Sequence, residues 1–157
     1  MILIIGPDED VHSLAVAQGL TALGVKNMRW DASCSPLTQK ISLSLSGETA
    51  AVLSRDGAVW QTSEPTVVWY RREGEVKLPT GLGAANLDIF TRETMSTRRG
   101  VFSLMDDSFW VNAWVSAWKA ENKVYQLTCA KSLGINIPRT LEPLAKLPET
   151  PSRSWFI

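Results

Sequence analysis

Along this chain, positions that repeat every two residues alternate with positions that repeat every three or four. Residues 1–5 are continuously apolar, as in a strand buried on both faces. Gly6-Pro7-Asp8 turns the chain, and Asp8 or Asp10 caps the helix that follows, to about residue 23. On that helix Leu14, Ala17, Leu20 (or Thr21) and Leu23 (or Gly24) fall on one face, and Gly24 stops it. A second strand, residues 25–30, ends at Asp31. Strand, helix and strand form a β-α-β unit whose right-handed crossover leaves the strands parallel.

Ile41, Leu43 and Leu45 then alternate with serines, the period of a half-exposed strand. Gly47-Glu48 turns the chain into a strand over 50–53, and Arg55-Asp56-Gly57 is a hairpin signal that residues 58–60 complete. Residues 66–70 are β-branched and aromatic, a further strand. Several Gly and Pro over 74–85 predict a mobile loop. A long helix follows over 86–108, with Leu87, Phe90, Met95, Val101, Phe102 and Met105 loosely periodic and Gly100 marking a bend. Asp106-Asp107-Ser108 separates it from a second long helix over 110–133, where Val124, Leu127, Ala130, Lys131 and Leu133 keep helical spacing. Gly134 suits the positive φ of a helix end, and Pro138 favours extended chain after it. Residues 142–157 carry Pro143, Pro148 and Pro151 without period and predict a poorly ordered tail. The fold class is α/β: a single open, mainly parallel sheet with flanking helices and a β-hairpin extension.

Composition narrows the function more by exclusion than by suggestion. The 157 residues are enough for one domain with a sizeable core, with 45% hydrophobic and 20% charged positions. Sixteen basic residues balance sixteen acidic ones, so no overall charge draws nucleic acid or an anionic membrane. No apolar run approaches the ~20 residues that span a bilayer, and the first residues lack the basic start of a signal peptide. Cys34 and Cys129 lie far apart and fit a reduced, cytoplasmic chain, with Cys129 on the buried face of its helix. His12 is the only histidine, which leaves no histidine-pair metal site. There is no GxxxxGK[ST] loop, and Gly81-Leu82-Gly83 lacks the third glycine of a dinucleotide fingerprint.

Two constellations stand out. Trp110, Trp114 and Trp118 recur every four residues and would stack on one helix face, as a platform for a partner or as ordinary core, unless Asn112 breaks the helix and removes Trp110 from the stripe. Arg71-Arg72 end a strand, where the pleat sends them to opposite faces. They serve either as a clamp for carboxylate or phosphate or as ion-pair partners of Glu73, Glu75 or Asp88.

Four features, in order, resemble the N-terminal pre-ATP-grasp domain of the ATP-grasp maturases that make graspetides, the microviridin-type macrocycles. They are the opening MILIIG, Trp69-Tyr70-Arg71-Arg72, Trp110-Val111-Asn112, and the helix after Asn122-Lys123 that ends in Leu133-Gly134 and Ile137-Pro138-Arg139-Thr140. The likeness covers about residues 1–141. It implies a pre-ATP-grasp-like domain over 1–109 and a linker helix over 110–141 leading towards an ATP-grasp lobe. Residues 144–157 depart from the family's pattern. In the family, ATP and Mg²⁺ bind the later lobes, which activate a carboxylate as an acyl phosphate for attack by an amine or hydroxyl. Lys123 matches the lysine that contacts nucleotide phosphate in D-alanine–D-alanine ligase and biotin carboxylase, although Asn122 replaces the more usual Asp. The resemblance implies a non-catalytic N-terminal domain, either truncated or standing alone, of a cytoplasmic peptide maturase, with no cofactor of its own. Its partners would be a precursor peptide, a cognate maturase or a second copy of the chain. The alternative is a free-standing peptide- or partner-binding module using Arg71, Arg72, Trp110, Trp114 and Trp118.

Overall fold

The computed structural model describes residues 1–33, 38–44, 49–53 and 57–138. The elements run β1 (Ile2–Ile5), α1 (Val11–Ala22), β2 (Asn27–Trp30), β3 (Lys40–Ser44), β4 (Thr49–Leu53), β5 (Val59–Gln61), β6 (Val67–Tyr70), α2 (Ala84–Ser103), β7 (Phe109–Val111), α3 (Trp114–Glu121) and α4 (Lys123–Ser132). The chain divides into two compact units, one to Trp114 and one from Val115. The first unit holds a four-stranded sheet of order β2-β1-β6-β7, every pair parallel. It also holds an antiparallel sheet, β3-β4-β5. Gly57, at φ 82°, supplies the left-handed turn before β5. Leu45, Gly47-Glu48, Arg55-Asp56, Cys34 and the tail from residue 139 lie outside the described residues.

Register assigns the two faces of the parallel sheet. Ile5 pairs with both Trp30 and Tyr70, and Val68 pairs with Leu3 and Trp110, so these side chains share one face. Phe102 of α2 packs there, with ring centroids 5.8 Å from Trp30, 5.9 Å from Tyr70, 6.1 Å from Trp110 and 5.8 Å from Trp114. Leu3, Ile5, Val68, Val101 and Phe102 are completely enclosed. Burying such side chains is worth about 1.5–3 kcal/mol each, the main favourable term of the fold.

The opposite face carries Ile4, Arg29 and Trp69 at adjoining register positions, and α1 packs over β1 and β2. The buried side of α1 is Ser13 and Ala17, not the expected Leu14 and Leu23, which stay exposed. Small side chains let the helix approach the sheet closely. Because α1 covers β1 and β2, Trp69 on β6 is half-buried rather than part of the core.

The expected helix over 110–133 is three elements. Phe109–Val111 is a strand that pairs with β6, Asn112 turns the chain at φ 58°, and Asn122 separates α3 from α4 by capping the latter through Tyr125 N. Trp110 therefore leaves the helical stripe and donates its Nε1–H to the Met105 carbonyl, 2.9 Å away. The loop expected over 74–85 gives way at Ala84, where α2 begins; α2 ends at Ser103, five residues short of the expected boundary. Gly134, at φ 74°, ends α4 as its sequence requires. Cys129 is half-buried, and α4 has no fully buried residue. Among the described residues, no helix is long and apolar enough to cross a membrane.

Candidate functional site

The strand order of the parallel sheet reverses between β1 and β6: from β1 the chain passes through α1 to β2 on one side, and from β6 through α2 to β7 on the other. Such a switch point leaves a crevice at the carboxyl ends of the two strands, where open α/β sheets take their ligands. Here the crevice edge is formed by Gly6 to Asp10 after β1 and by Arg71 to Lys77 after β6, with Asp31 and Ser33 after β2.

Asp10 organises this edge. It caps α1, its Oδ1 accepting from His12 N at 2.9 Å and Ser13 N at 3.1 Å. Its Oδ2 lies 3.0 Å from Arg72 Nε and 3.6 Å from Arg71 Nε. The carboxylate is enclosed, whereas the arginine side chains are 34% (Arg71) and 50% (Arg72) exposed. Burial raises the Asp10 pKa, but the backbone N–H groups of Ser13 and His12 and the charges of Arg71 and Arg72 outweigh it and hold the carboxyl below its ordinary value. The two arginines do not take opposite faces. The strand ends at Tyr70, and beyond it the pleat no longer separates them. Their partner is Asp10; Glu73 meets Arg98 and Asp88 meets Arg92.

Asp31 forms a second anchor. It accepts from Ser33 N, Ser33 Oγ, Asp8 N at 3.2 Å and Lys77 Nζ at 2.9 Å. Burial raises its pKa, but these donors, Ser33 first, bring it down to about 2. Arg29 reaches across from β2 to donate to the Pro7 and Asp8 carbonyls at 2.9 and 2.8 Å, fixing the turn after β1. Gly74 must be glycine in this arrangement, since a Cβ would come within 2.7 Å of Ser33 Cβ. Between the Pro7 turn, Ser33 and residues 72–77 lies a cleft of about 440 Å³. It offers the half-exposed cations Arg72 and Lys77 beside Glu9, Glu73 and Glu75. Such a mixed edge suits a singly charged carboxylate better than a phosphate, which the three acids would repel.

Of the residues singled out in the sequence, Arg71 and Arg72 converge. Trp110 and Trp114 pack against Phe102. Trp118 and Lys123 belong to the second unit, where Trp118 is 59% exposed and Lys123 donates to Gln126 Oε1 at 3.2 Å. Asp10, Asp31, Lys77 and Arg98 were missed as site residues; Asp10 and Asp31 carried the signals of a helix cap and a strand end. Among the described residues, no three His, Cys, Asp or Glu side chains cluster to hold a metal ion.

A family model for the MvdD pre-ATP grasp domain matches residues 1–117. The chain belongs to that family. The fold also recurs in solved structures. Macrocyclase MdnB from Microcystis aeruginosa MRC superposes with a TM-score of 0.80 at 23% identity, over 89% of this chain and 46% of that one. MdnC from the same organism, bound with the precursor peptide MdnA, gives 0.76 at 28% identity over the same shares. ATP-grasp ligase PsnB, complexed with minimal precursor, Mg and ADP, gives 0.66 at 21% identity, again over 89% and 46%. This chain thus spans about half the length of these solved relatives. No curated protein matches it.

Proposed function

We propose that this chain acts as the substrate-facing N-terminal domain of an ATP-grasp maturase of ribosomally made peptides. The enzyme would close ester or amide macrocycles through an acyl phosphate. Nucleotide and Mg²⁺ would be handled by ATP-grasp lobes and not by this chain, whose own part is non-catalytic. Membership of the pre-ATP-grasp family supports the domain assignment. The precursor peptides in the MdnC and PsnB structures support a peptide partner. The carrying observation is the convergence of Arg71 and Arg72 on enclosed Asp10 at the sheet's switch point. There the arginines are held by their Nε atoms, and their partly exposed side chains would receive a peptide carboxylate in bidentate fashion.

The test is calorimetric titration of the chain with an acidic peptide containing Glu and Asp, and with its Gln/Asn counterpart. The acidic peptide binds more tightly, and Arg71→Gln with Arg72→Gln removes the difference. Equal binding of the two peptides would refute the carboxylate role.

A second reading is an interaction module that pairs with a cognate maturase or with another copy of itself. The outward side of α1 favours it. Val11 is 69% exposed and Leu23 78%, Leu14 is also exposed, and α1 carries no charged residue. In the second unit Val115, Trp118, Val124 and Tyr125 line a further open groove. Light scattering decides for the pairing of copies: a dimer mass that Leu14→Glu reduces to the monomer supports it, and a monomer at high concentration removes it.

A further inference from the structure

The antiparallel sheet ends at β3. Among the described residues β3 pairs with β4 alone, so alternate residues of Lys40–Ser44 turn their backbone N–H and C=O groups to an edge that holds no strand. The two faces of this sheet differ. Ile41 pairs with Val52, and Val52 with Trp60, so register sets Ile41 and Trp60 in one cross-strand row. Trp60 is 2% exposed and its ring centroid lies 5.3 Å from that of Trp30, which makes this row the inner face. Lys40 and Ser42 belong to the opposite face and are exposed. Leu43, two residues on from Ile41, returns to the inner face yet is 52% exposed.

Beside Ile41, between β3 and α2, is a mainly apolar cavity of about 220 Å³. Phe90, Glu93, Thr94 and Thr97 recur at three- and four-residue spacing along α2 and form its other wall. An engineered apolar cavity of ~150 Å³ admits benzene, so this one has room for a leucine or phenylalanine side chain. Its charges favour neither a cation nor an anion. Arg98, also in the lining, is 2% exposed and engaged by Glu73 Oε2 at 3.5 Å and the Gly74 carbonyl at 3.4 Å, so it is not open to a ligand. Glu93 is exposed and repels an anion. The open edge and the cavity are linked by geometry. A strand laid along β3 sits about 4.8 Å away. Its side chain opposite Ile41 continues the row that runs from Trp60 to Ile41, on the α2 side, where the cavity is. The next residue of that strand falls on the other face, beside Lys40. An acid there forms a favourable cross-strand pair, and a basic residue is repelled.

We propose that the β3 edge is a docking site for an extended peptide that adds as a strand, with an apolar residue seated in the cavity and an acidic neighbour facing Lys40. A peptide partner is part of the proposed function, but this surface is separate from the Arg71–Arg72 crevice and stands without it.

The probe is acetyl-Thr-Glu-Leu-Thr-Val-amide, titrated into the whole chain and followed by amide NMR at Lys40–Ser44, Thr94 and Thr97. These signals shift in a saturable way, and amide exchange slows in alternate residues of β3. Replacing the peptide's leucine by serine weakens binding at least about tenfold, the weight of one buried aliphatic side chain. N-methylation of alternate peptide residues, in the two possible sets, abolishes binding for one set and spares it for the other, the signature of a paired strand. Lys40→Glu turns the preference from the glutamate peptide to its lysine counterpart. In Arg71→Gln with Arg72→Gln the shifts at β3 persist. Their loss in that variant would assign the probe to the crevice and overturn the proposal. No saturable shift, equal binding of the leucine and serine peptides, or tolerance of both N-methylated sets would overturn it too. So would concentration-dependent shifts of Lys40–Ser44 without peptide, which would give the edge to a second copy of the chain.

Discussion

Phe102 shows how much of this fold rests on one side chain. It is fully enclosed, and four aromatic rings from β2, β6, β7 and the start of α3 meet it edge-on or tilted. Phe102→Ala removes the shared centre of that cluster and costs about 3–5 kcal/mol, a large part of a domain's stability. Urea unfolding then shows a sharply lower midpoint. Trp69→Ala, on the other face of the sheet and half-buried, lowers the midpoint less. Equal losses would mean that the two faces are packed alike. Asp31 makes the matching electrostatic prediction. Its pKa lies at about 2 in the fold against an ordinary 3.8. A group depressed on folding stabilises the fold above its unfolded pKa and loses that contribution as pH falls through the folded one. Stability therefore drops between about pH 4 and pH 2, with roughly 2 kcal/mol of the loss due to Asp31, and Asp10 adds in the same direction. Asp31→Asn flattens that stretch of the stability–pH curve; an unchanged curve would place the anchor elsewhere.

At the scale of elements, the turns decide where the functional edge lies. Asp10 both starts α1 and receives the arginines that follow β6, so Asp10→Ala removes a cap worth about 0.5–2 kcal/mol and leaves two cations without their shared carboxylate. Asn112, at φ 58°, makes the bend from β7 into α3. Asn112→Gly keeps or raises the thermal midpoint and Asn112→Val lowers it, because a β-branched residue resists that conformation. Similar midpoints for both would show that the bend relaxes. The β-α-β start, the positive φ of Gly57 and the Gly134 stop were legible in the sequence because each has a local cause, a period or a residue that tolerates positive φ. β7 was not. Phe109-Trp110-Val111 is too short to show a period, and it abuts residues with helical spacing, so only its pairing with β6 reveals it. The convergence of Arg71 and Arg72 was hidden for a related reason: strand alternation predicts opposite faces and says nothing once the strand has ended. Lys77 and Arg98 owe their roles to partners 46 and 24 residues away, which no local pattern encodes.

At the scale of the whole molecule, the proposed function makes this pre-ATP-grasp domain selective: it would bind a carboxylate and not the nucleotide. Among the described residues Lys123 is exposed and engaged with Gln126, and one lysine does not make a phosphate site. Calorimetry should detect no micromolar binding of Mg·ATP to the chain, and no phosphate release should follow. Tight binding abolished by Lys123→Ala would assign the nucleotide to this chain after all. The most direct test of the account is an amide NMR footprint of the acidic peptide and of Mg·ATP on the same sample. The account predicts peptide-induced shifts concentrated in residues 6–10, 31–33 and 71–77, and none of comparable size from Mg·ATP. Shifts from Mg·ATP at that edge, or peptide shifts confined to other surfaces, would contradict it.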